Sequence, residues 1–236
     1  MLNITFIFLE ASIEPIPESI WNHPAVQKDS KRRKRSPAEI LLDDSKHHAA
    51  MKNLENREKR GRPDIIHMCL LSIFDSPIGG LSDVYVHTID GKIIGFSKGL
   101  RLPRNYNRFV GLMEQLLKEG KIKSGGKTLI EIKDHDLESL LRSVNPSQTS
   151  QILLLTEKGE ELDGLQLDLD LNLTPNLVIL IGAFPHGDFD RKVMESIQKF
   201  NPISISLGKR SYTSLYVTNR VICLLENSLR RLRDGR

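Results

Sequence analysis

Short apolar runs alternate along the chain with segments of helical periodicity, which predicts a fold in which strands and helices pack against each other. The N-terminal run LNITFIFLE predicts a first β-strand that begins almost at Met1. Two runs separated by Ile89, Asp90 and Gly91 predict a β-hairpin. Strands are predicted over residues 2–10, 84–88, 92–96, 128–132, 151–156, 162–173, 177–181 and 202–207.

Helical periodicity fills much of the sequence between these strands. Ser36 and Glu39 have the spacing of a capping box at a helix start, and residues 40–60 predict one or two further helices. Asp64 can cap the next helix, and its carboxylate can also hold the guanidinium of Arg62 in a fixed direction. Helices are predicted over residues 65–74, 110–117, 135–144 and 212–233, and a loop over residues 121–126.

Two of the predicted strands, over residues 177–181 and 202–207, end in glycine loops. The first has the length and β-branched content of a buried parallel strand and is followed by Gly182 and Gly187, and the second ends at Gly208. Because parallel strands bring their carboxyl ends to one edge, we expect the two loops to lie next to one another and form a crevice. Exposed backbone groups there can hold a small polar ligand, so the crevice is the predicted functional centre.

Basic residues are concentrated in residues 28–35, although the formal net charge of the chain is only +4. This block contains almost no apolar residue. A solvated loop, a nucleic-acid contact and a nuclear-import signal all fit such a composition, and the sequence leaves them open.

A second basic cluster places Arg101, Arg104 and Arg108 close to Tyr106 and Phe109. The guanidinium fork matches phosphate oxygens, and an aromatic ring offers a surface on which a base can stack. The cluster therefore fits an RNA site, and it equally fits a solvated helix start.

The composition narrows the class of protein. Apolar residues make up 39% and charged residues 27% of the sequence, which is typical of a soluble globular protein. No apolar run approaches the length of a membrane span, and the N-terminal run lacks the features of a signal peptide. Cys69 and Cys223 lie in apolar helical patterns away from metal-ligand spacings, which predicts buried free thiols. His47 and His48 are adjacent, which argues against joint metal binding from one helix face.

Segments spread over nearly the whole chain resemble one family, the pseudouridine N1-specific ribosomal RNA methyltransferases of the SPOUT class, called essential for mitotic growth in eukaryotes. They occur in the family's order, and the short N-terminus and the form IGAFPHGDF resemble the archaeal branch. The matching segments are IEPIP, LLDDSKHH, RPDIIHMCLLSIFDSPI, VYVHT, RLPRNYNRFVGLM, IGAFPHGDF and ISISLGKRSYTSL.

This resemblance implies an α/β fold with a SPOUT-type, mostly parallel sheet flanked by helices, a C-terminal trefoil knot, and family-specific N-terminal and β-hairpin extensions. It implies a single methyltransferase domain over residues 1–236. Within it, residues 1–62 would hold the N-terminal strand, basic loop and helices, residues 80–98 the hairpin, and residues 150–236 the knotted cofactor-binding region.

The implied reaction is methylation of N1 of a pseudouridine in small-subunit ribosomal RNA, with a role in small-subunit biogenesis. The implied methyl donor is S-adenosyl-L-methionine. The implied partners are the ribosomal RNA and a second copy of the chain in a homodimer, with no membrane and no metal. The implied location is the cytoplasm, or the nucleolus in a eukaryotic source.

The family's functional positions carry over to individual residues of this chain. Arg62 matches an RNA-contacting arginine that Asp64 orients, and no residue is identified as a catalytic base. Three further RNA-contacting arginines match Arg101, Arg104 and Arg108. The cofactor-binding positions match Gly182, Gly187, Leu207, Gly208, Lys209, Arg210, Ser211 and Tyr212, together with Thr156 at the end of a strand.

The chain departs from the family in its last cofactor loop. Eukaryotic members carry a serine, asparagine, tyrosine, proline run where this chain has residues 208–211, so the register of this loop stays open. Two other functions also stay open at this point. One is a non-catalytic RNA-binding factor in ribosome assembly, and the other is a SPOUT methyltransferase that acts on transfer RNA or on a 2′-O position.

Overall fold

The computed structural model describes residues 3–145, 151–162 and 176–234. Within them the strands are β1 (Asn3–Ala11), β2 (Ser82–Thr88), β3 (Ile93–Phe96), β4 (Lys121–Ser124), β5 (Lys127–Lys133), β6 (Gln151–Glu161), β7 (Asn176–Gly182) and β8 (Ile203–Ser206). They form an eight-stranded sheet in the order β4-β5-β3-β2-β1-β7-β6-β8. The strands from β2 to β8 in this order are parallel, and β3, β5 and β4 extend the sheet by antiparallel pairing.

Helices cover both faces of the sheet, which makes the fold a mixed α/β fold. The described helices are α1 (Pro24–Arg33), α2 (Asp44–His47), α3 (Pro63–Phe74), α4 (Tyr106–Glu119), α5 (Leu137–Val144), α6 (Arg191–Gln198) and α7 (Ser214–Asp234). The predicted hairpin and the helices over residues 65–74, 110–117, 135–144 and 212–233 are confirmed, with boundaries shifted by a few residues.

β1 lies in the interior of the sheet and is buried on both faces. It pairs with β2 on one side and with β7 on the other, so Phe6 lies opposite both Val84 and Ile179. Because side chains alternate along a strand, Phe6 and its neighbours on the same face pack with α3, α4 and α7, whereas Ile7 and Leu9 pack with α5 and α6. The predicted first strand is confirmed.

The predicted basic loop over residues 28–35 is wrong, because most of it belongs to α1. Arg33 donates two hydrogen bonds to the Glu114 carboxylate, at 2.7 and 2.5 Å, and Arg35 adds a third at 2.9 Å. The Glu114 side chain is 1% exposed. Two arginines of the block therefore neutralise a buried carboxylate on α4 and are not free for a ligand.

Several local predictions also differ from the structure. The predicted capping box at Ser36 is half formed. Residues 37–39 form one 3₁₀ turn and the Ser36 side chain makes no cap bond, whereas the Glu39 carboxylate interacts with the Ser36 backbone and also accepts from Lys118. Residues 40–60 contain α2 and two 3₁₀ turns, and the predicted loop over residues 121–126 contains β4, whose buried residues are too few for an apolar pattern. Apart from Leu162, the predicted strand over residues 162–173 lies outside the described residues.

The two cysteines are free, but they differ in burial. Cys69 is buried on α3, and burial raises the pKa of its thiol to about 11. Cys223 is exposed on α7, so the prediction that it is buried is wrong. His47 and His48 face different sides, as their adjacent positions predict, since His47 is buried and His48 is exposed.

The two glycine loops are not on neighbouring strands, because β6 lies between β7 and β8. The expectation that the loops adjoin directly is therefore wrong. Strand order is set by pairing between distant segments, which local sequence patterns do not encode. The pairing of β6 with β7 ends at Leu155, and the position of β6 in the sheet places the following residue, Thr156, between the two loops.

Candidate functional site

A cavity of about 480 Å³ lies at the carboxyl ends of β7, β6 and β8. Its volume falls in the range typical of small-molecule sites. The loop after β7, the loop after β8 and the first turn of α7 complete its walls. The apolar lining residues are Leu155, Ile181, Phe184, Pro185, Phe189, Ile205, Leu207 and Val217, and polar groups come from Thr156, Glu157, His186, Asp188, Ser206, Arg210, Ser211, Tyr212 and Ser214.

Most of the predicted cofactor residues meet in this cavity. Those that line it are Gly182, Gly187, Thr156, Leu207, Arg210, Ser211 and Tyr212, whereas Gly208 and Lys209 do not. Gly208 has a positive φ of 141°, and a Cβ added to it would lie 2.8 Å from the Tyr212 hydroxyl oxygen. Gly208 therefore shapes the loop that carries Tyr212, although Gly208 itself does not line the cavity.

A bulge in β6 supplies lining residues that the sequence reasoning missed. Leu155 and Glu160 both pair with Ile205 of β8, so residues 156–159 bulge out between them and bring Glu157 to the cavity beside the predicted Thr156. A Cβ on Gly159 would lie 2.4 Å from the Ile205 backbone nitrogen. A glycine inside a strand pattern often marks such a bulge, and this is the signal that the sequence offered.

Gly182, the last residue of β7, packs closely against two aromatic rings of the cavity wall. A Cβ on Gly182 would lie 3.0 Å from Phe184 Cε1 and 3.2 Å from Phe189 Cε1. These two rings form an edge-to-face pair with centroids 5.4 Å apart. The Gly182 carbonyl accepts a hydrogen bond of 2.6 Å from Ser214 Oγ, which fixes the start of α7 against the end of β7.

Position 187 favours glycine because of its backbone conformation and not because a side chain would clash there. Its φ is +94°, a backbone conformation that residues other than glycine adopt only with strain. An added Cβ would have ordinary contacts of 3.5 Å or more. Its nearest neighbours would be Lys59 and Glu58, which lie on the side of the N-terminal segment.

The predicted Arg62–Asp64 pair is present at the start of α3. Arg62 Nε donates to Asp64 Oδ1 at 2.8 Å, and Arg62 Nη2 donates to Asp64 Oδ2 at 2.7 Å. This hydrogen bonding raises the pKa of the Arg62 guanidinium. Arg62 itself is the N-cap residue, so Asp64 lies in the first turn and does not cap the helix as predicted. Both oxygens of Asp64 are occupied, which leaves it in an orienting role.

The other three predicted RNA contacts, Arg101, Arg104 and Arg108, are exposed on the segment that enters α4. His67 on α3 connects this segment to the Arg62 end of the site. His67 Nε2 donates to the Pro103 carbonyl at 2.7 Å. This bond ties the segment before α4 to α3, and Arg104 pairs with Asp75 at the C-terminal end of α3. We call the set Arg62, Arg101, Arg104 and Arg108, which extends along α3 to the start of α4, the arginine face.

The two aromatic residues of this segment do not offer free stacking surfaces. Phe109 is fully buried and stacks on His67 with ring centroids 4.2 Å apart. Tyr106 is partly buried, and its hydroxyl donates to Asp43 Oδ2 at 2.9 Å. Burial and the Asp43 charge raise the pKa of Tyr106. The suggestion that these rings stack on bases is therefore wrong for Phe109, which packs the segment onto α3.

The described residues form neither a metal site nor a membrane span. Within residues 3–145, 151–162 and 176–234, no group of three or more His, Cys, Asp or Glu side chains is placed to hold a metal ion. No helix in the same ranges combines the length and apolarity needed to cross a bilayer.

The fold and the cavity define an α/β protein with a small-molecule site at the ends of parallel strands. The family model described as EMG1/NEP1 methyltransferase matches residues 6–226. The chain is 52% identical over 221 residues to the ribosomal RNA small subunit methyltransferase Nep1 of Archaeoglobus fulgidus, covering 94% of each chain. It is 44% identical over 204 residues to Nep1 of Saccharolobus solfataricus, covering 86% of this chain and 89% of that one.

A solved structure agrees with these sequence matches. The crystal structure of Archaeoglobus fulgidus Nep1 bound to S-adenosylhomocysteine superposes with a TM-score of 0.85 at 51% identity, covering 95% of this chain and 97% of that chain. The chain belongs to the EMG1/NEP1 methyltransferase family.

Proposed function

We propose that this protein transfers the methyl group of S-adenosyl-L-methionine to N1 of a pseudouridine in small-subunit ribosomal RNA. The observation that carries the proposal is the cavity at the ends of β7, β6 and β8 in a fold that matches, at 51% identity, a Nep1 bound to S-adenosylhomocysteine. S-adenosylhomocysteine is what remains of the donor after it has given up its methyl group. The curated relatives act on ribosomal RNA of the small subunit, as their names state.

The cavity has the chemistry that this donor needs. Apolar walls from Phe184, Phe189 and Leu207 suit an adenine ring, and the lack of a Cβ at Gly182 lets the two phenylalanine rings take their places in the wall. When bound, the donor supplies an electrophilic methyl group on a sulfonium sulfur. The role of the cavity residues is to hold that group in line with the attacking nitrogen and to exclude water.

The arginine face is the proposed binding surface for the RNA. Arg62 begins α3, Arg108 lies in the first turn of α4, and the segment with Arg101 and Arg104 is held to α3 by the His67 bond. Guanidinium groups match phosphate oxygens. Asp64 holds Arg62 through both of its carboxylate oxygens, which fixes the direction of that guanidinium. We infer that these side chains hold an RNA loop while the target base turns out toward the donor.

Pseudouridine presents N1 as a ring N–H, whereas uridine uses the same nitrogen for its glycosidic bond. The N1 proton must leave during or before methyl transfer. Both carboxylate oxygens of Asp64 accept hydrogen bonds from Arg62, so Asp64 is not free to take this proton. We propose that the proton passes to solvent or to a weak base. Positioning of the two reactants would then supply most of the rate enhancement.

The proposal includes the remaining SPOUT features, a C-terminal trefoil knot and a homodimer, in a single methyltransferase domain. Two observations support the knot. β6 precedes β7 and β8 in the chain yet lies between them in the sheet, and Ser214 at the start of α7 bonds back to Gly182 at the end of β7. A ribosomal RNA substrate also implies a cytoplasmic location, or a nucleolar one in a eukaryotic source.

The reaction is tested with transcripts of small-subunit ribosomal RNA that contain either uridine or pseudouridine throughout. We expect single-turnover methylation of the pseudouridine transcript alone, with N1-methylpseudouridine recovered after digestion to nucleosides. A methyl group on ribose, or transfer to a transfer RNA transcript, would identify a SPOUT enzyme of another specificity. RNA binding without any transfer would identify a non-catalytic assembly factor.

The RNA surface is tested by Arg104→Ala. Arg104 is 81% exposed and contacts Asp75 at 3.0 Å, so its removal costs little stability. We expect a loss of RNA affinity of about 5- to 20-fold and a shallower salt dependence, with donor affinity unchanged. Filter binding at several salt concentrations measures the first effect, and calorimetry with S-adenosylmethionine the second.

Arg191→Ala is the matched control for this variant. Arg191 is 91% exposed and also pairs with a carboxylate, but it lies on α6, on the opposite face of the sheet from α3 and α4. It should bind RNA as the unaltered protein does. Equal RNA affinity in both variants would mean that Arg104 is simply a solvated side chain.

A further inference from the structure

Lys59 is a buried lysine that lies between the donor cavity and the arginine face. It is 6% exposed, and its Nζ donates to Glu10 Oε1 at 2.9 Å. Glu10 is the penultimate residue of β1 and is itself buried. Two buried opposite charges stabilise each other only as a pair, since loss of either leaves the other uncompensated.

Glu10 connects Lys59 to the far end of the loop that forms the cavity wall. Its second carboxylate oxygen accepts a hydrogen bond of 3.0 Å from the Asp190 backbone nitrogen. Glu10 has a φ of +55°, which is uncommon for a residue with a side chain. This backbone conformation, together with the two carboxylate bonds, indicates a position that the surrounding structure strongly determines.

Lys59 also contacts the near end of the same loop. Its Nζ lies 4.8 Å from the centroid of the Phe184 ring, within the range of a cation–π interaction. Phe184 lines the donor cavity, and the Gly187 backbone lies beside Glu58 and Lys59. The loop after β7 therefore rests on Lys59 and Glu10 at three points along its length.

The residues that follow Lys59 are fixed to the continuation of β1 and lead directly to Arg62. Arg60 pairs with Glu14, at 2.9 and 2.5 Å, and the Gly61 nitrogen donates to Ser12 Oγ at 2.6 Å. The Gly61 carbonyl accepts from the Asp44 nitrogen at 2.8 Å. Residues 59–62, which we call the linking segment, therefore have little freedom to move independently of one another.

We propose that Lys59 is a positioning residue that couples the donor cavity to the arginine face, so that each ligand tightens the binding of the other. This inference rests on the proposed function. A donor in the cavity restricts Phe184, which restricts Lys59 and, through the linking segment, Arg62. Asp64 fixes the Arg62 guanidinium relative to its own backbone, so what the donor adds is a fixed position of that backbone relative to the cavity, and RNA binding then need not order it. The same coupling acts in reverse.

The coupling is measured as the ratio of RNA dissociation constants without and with saturating S-adenosylhomocysteine, using the pseudouridine transcript. We expect RNA to bind about 5- to 10-fold more tightly to the loaded protein. RNA should in turn lower the dissociation constant of S-adenosylhomocysteine by the same factor, because the coupling is reciprocal. Calorimetry with and without the RNA measures this second ratio.

The test variant is Glu10→Gln combined with Lys59→Met. The double substitution removes both buried charges together, and the glutamine oxygen can still accept from the Asp190 nitrogen. We expect each ligand alone to bind within about threefold of the unaltered protein and the coupling ratio to fall below about two. Phe184→Leu, which keeps the ion pair and removes the ring contact, should also at least halve the ratio.

Lys158→Met is the matched control. Lys158 pairs with Asp188 of the same loop at 2.5 Å, but both side chains are exposed and neither contacts the linking segment in the described structure. This variant should keep the full coupling ratio. An unchanged ratio in the double variant, or binding of both ligands without coupling in the unaltered protein, would overturn the inference alone. Failure of the unaltered protein to bind donor or RNA would overturn the proposed function as well.

Discussion

Replacing Gly182 with valine should raise the dissociation constant for S-adenosylmethionine by about 100-fold while the protein stays folded. An added Cβ lies 3.0 Å from Phe184 and 3.2 Å from Phe189, and the branched valine side chain would push both rings toward the cavity. A 100-fold loss corresponds to about 2.7 kcal/mol, which is near the upper end of the usual cost of overpacking. Calorimetry with the donor measures the effect.

Gly80→Val is the control for this substitution. A Cβ on Gly80 has open space within 4 Å, and its φ lies outside the left-handed region, so the valine meets no neighbour. Donor affinity should be unchanged in this variant. If Gly182→Val bound the donor normally and had a normal melting temperature, the cavity would not be the donor site.

Replacing Glu114 with glutamine should lower the free energy of unfolding by about 2 kcal/mol, because it removes the charge of a buried carboxylate that accepts hydrogen bonds from two partly exposed arginines. The carboxylate accepts from Arg33 through both oxygens, from Arg35 and from the Leu41 nitrogen. A glutamine NH₂ group would face a guanidinium donor, which leaves both unsatisfied. Urea denaturation at neutral pH measures the loss.

Glu119→Gln tests whether the effect depends on burial. Glu119 lies on the same helix, is exposed and accepts only from Gln115 among the described contacts, so stability should change by less than about 0.5 kcal/mol. A loss of less than about 1 kcal/mol for Glu114→Gln would mean that Arg33 and Arg35 act as ordinary surface charges.

The two basic clusters of the chain show where sequence reasoning succeeds and where it fails. Residues 28–35 and residues 101–108 are both rich in arginine, and charge alone does not separate them. The structure separates them through Glu114, a carboxylate distant in sequence that occupies Arg33 and Arg35. Such pairing depends on tertiary contacts and cannot be deduced from local composition.

The central strands were the easiest elements to predict. β1 and β7 are buried on both faces, so their apolar runs are nearly continuous, and both were found close to their true bounds. β4 was missed because an exposed edge strand has no such run. Strand order, and with it the place of β6 between β7 and β8, follows from long-range pairing that no local pattern records.

The candidate site was predicted in part from its glycines. Gly182 and Gly187 are found at the cavity. Gly159 was the one sequence signal of the bulge in β6. Lys59 and Glu10 carried no signal at all, because a lysine in a charged segment and a glutamate at a strand end are ordinary features of a surface. Both are buried, and their contacts with Phe184 and Asp190 of the loop after β7 depend on tertiary structure.

The two edges of the sheet bear on how well the protein resists aggregation. Both edge strands, β4 and β8, are only four residues long, so they offer a short template to an unpaired strand of another molecule. On β4, Lys121 and Lys123 are exposed, and an incoming strand would have to desolvate their ammonium groups. The β4 edge should therefore resist edge-to-edge pairing even at the high protein concentrations used for structural work.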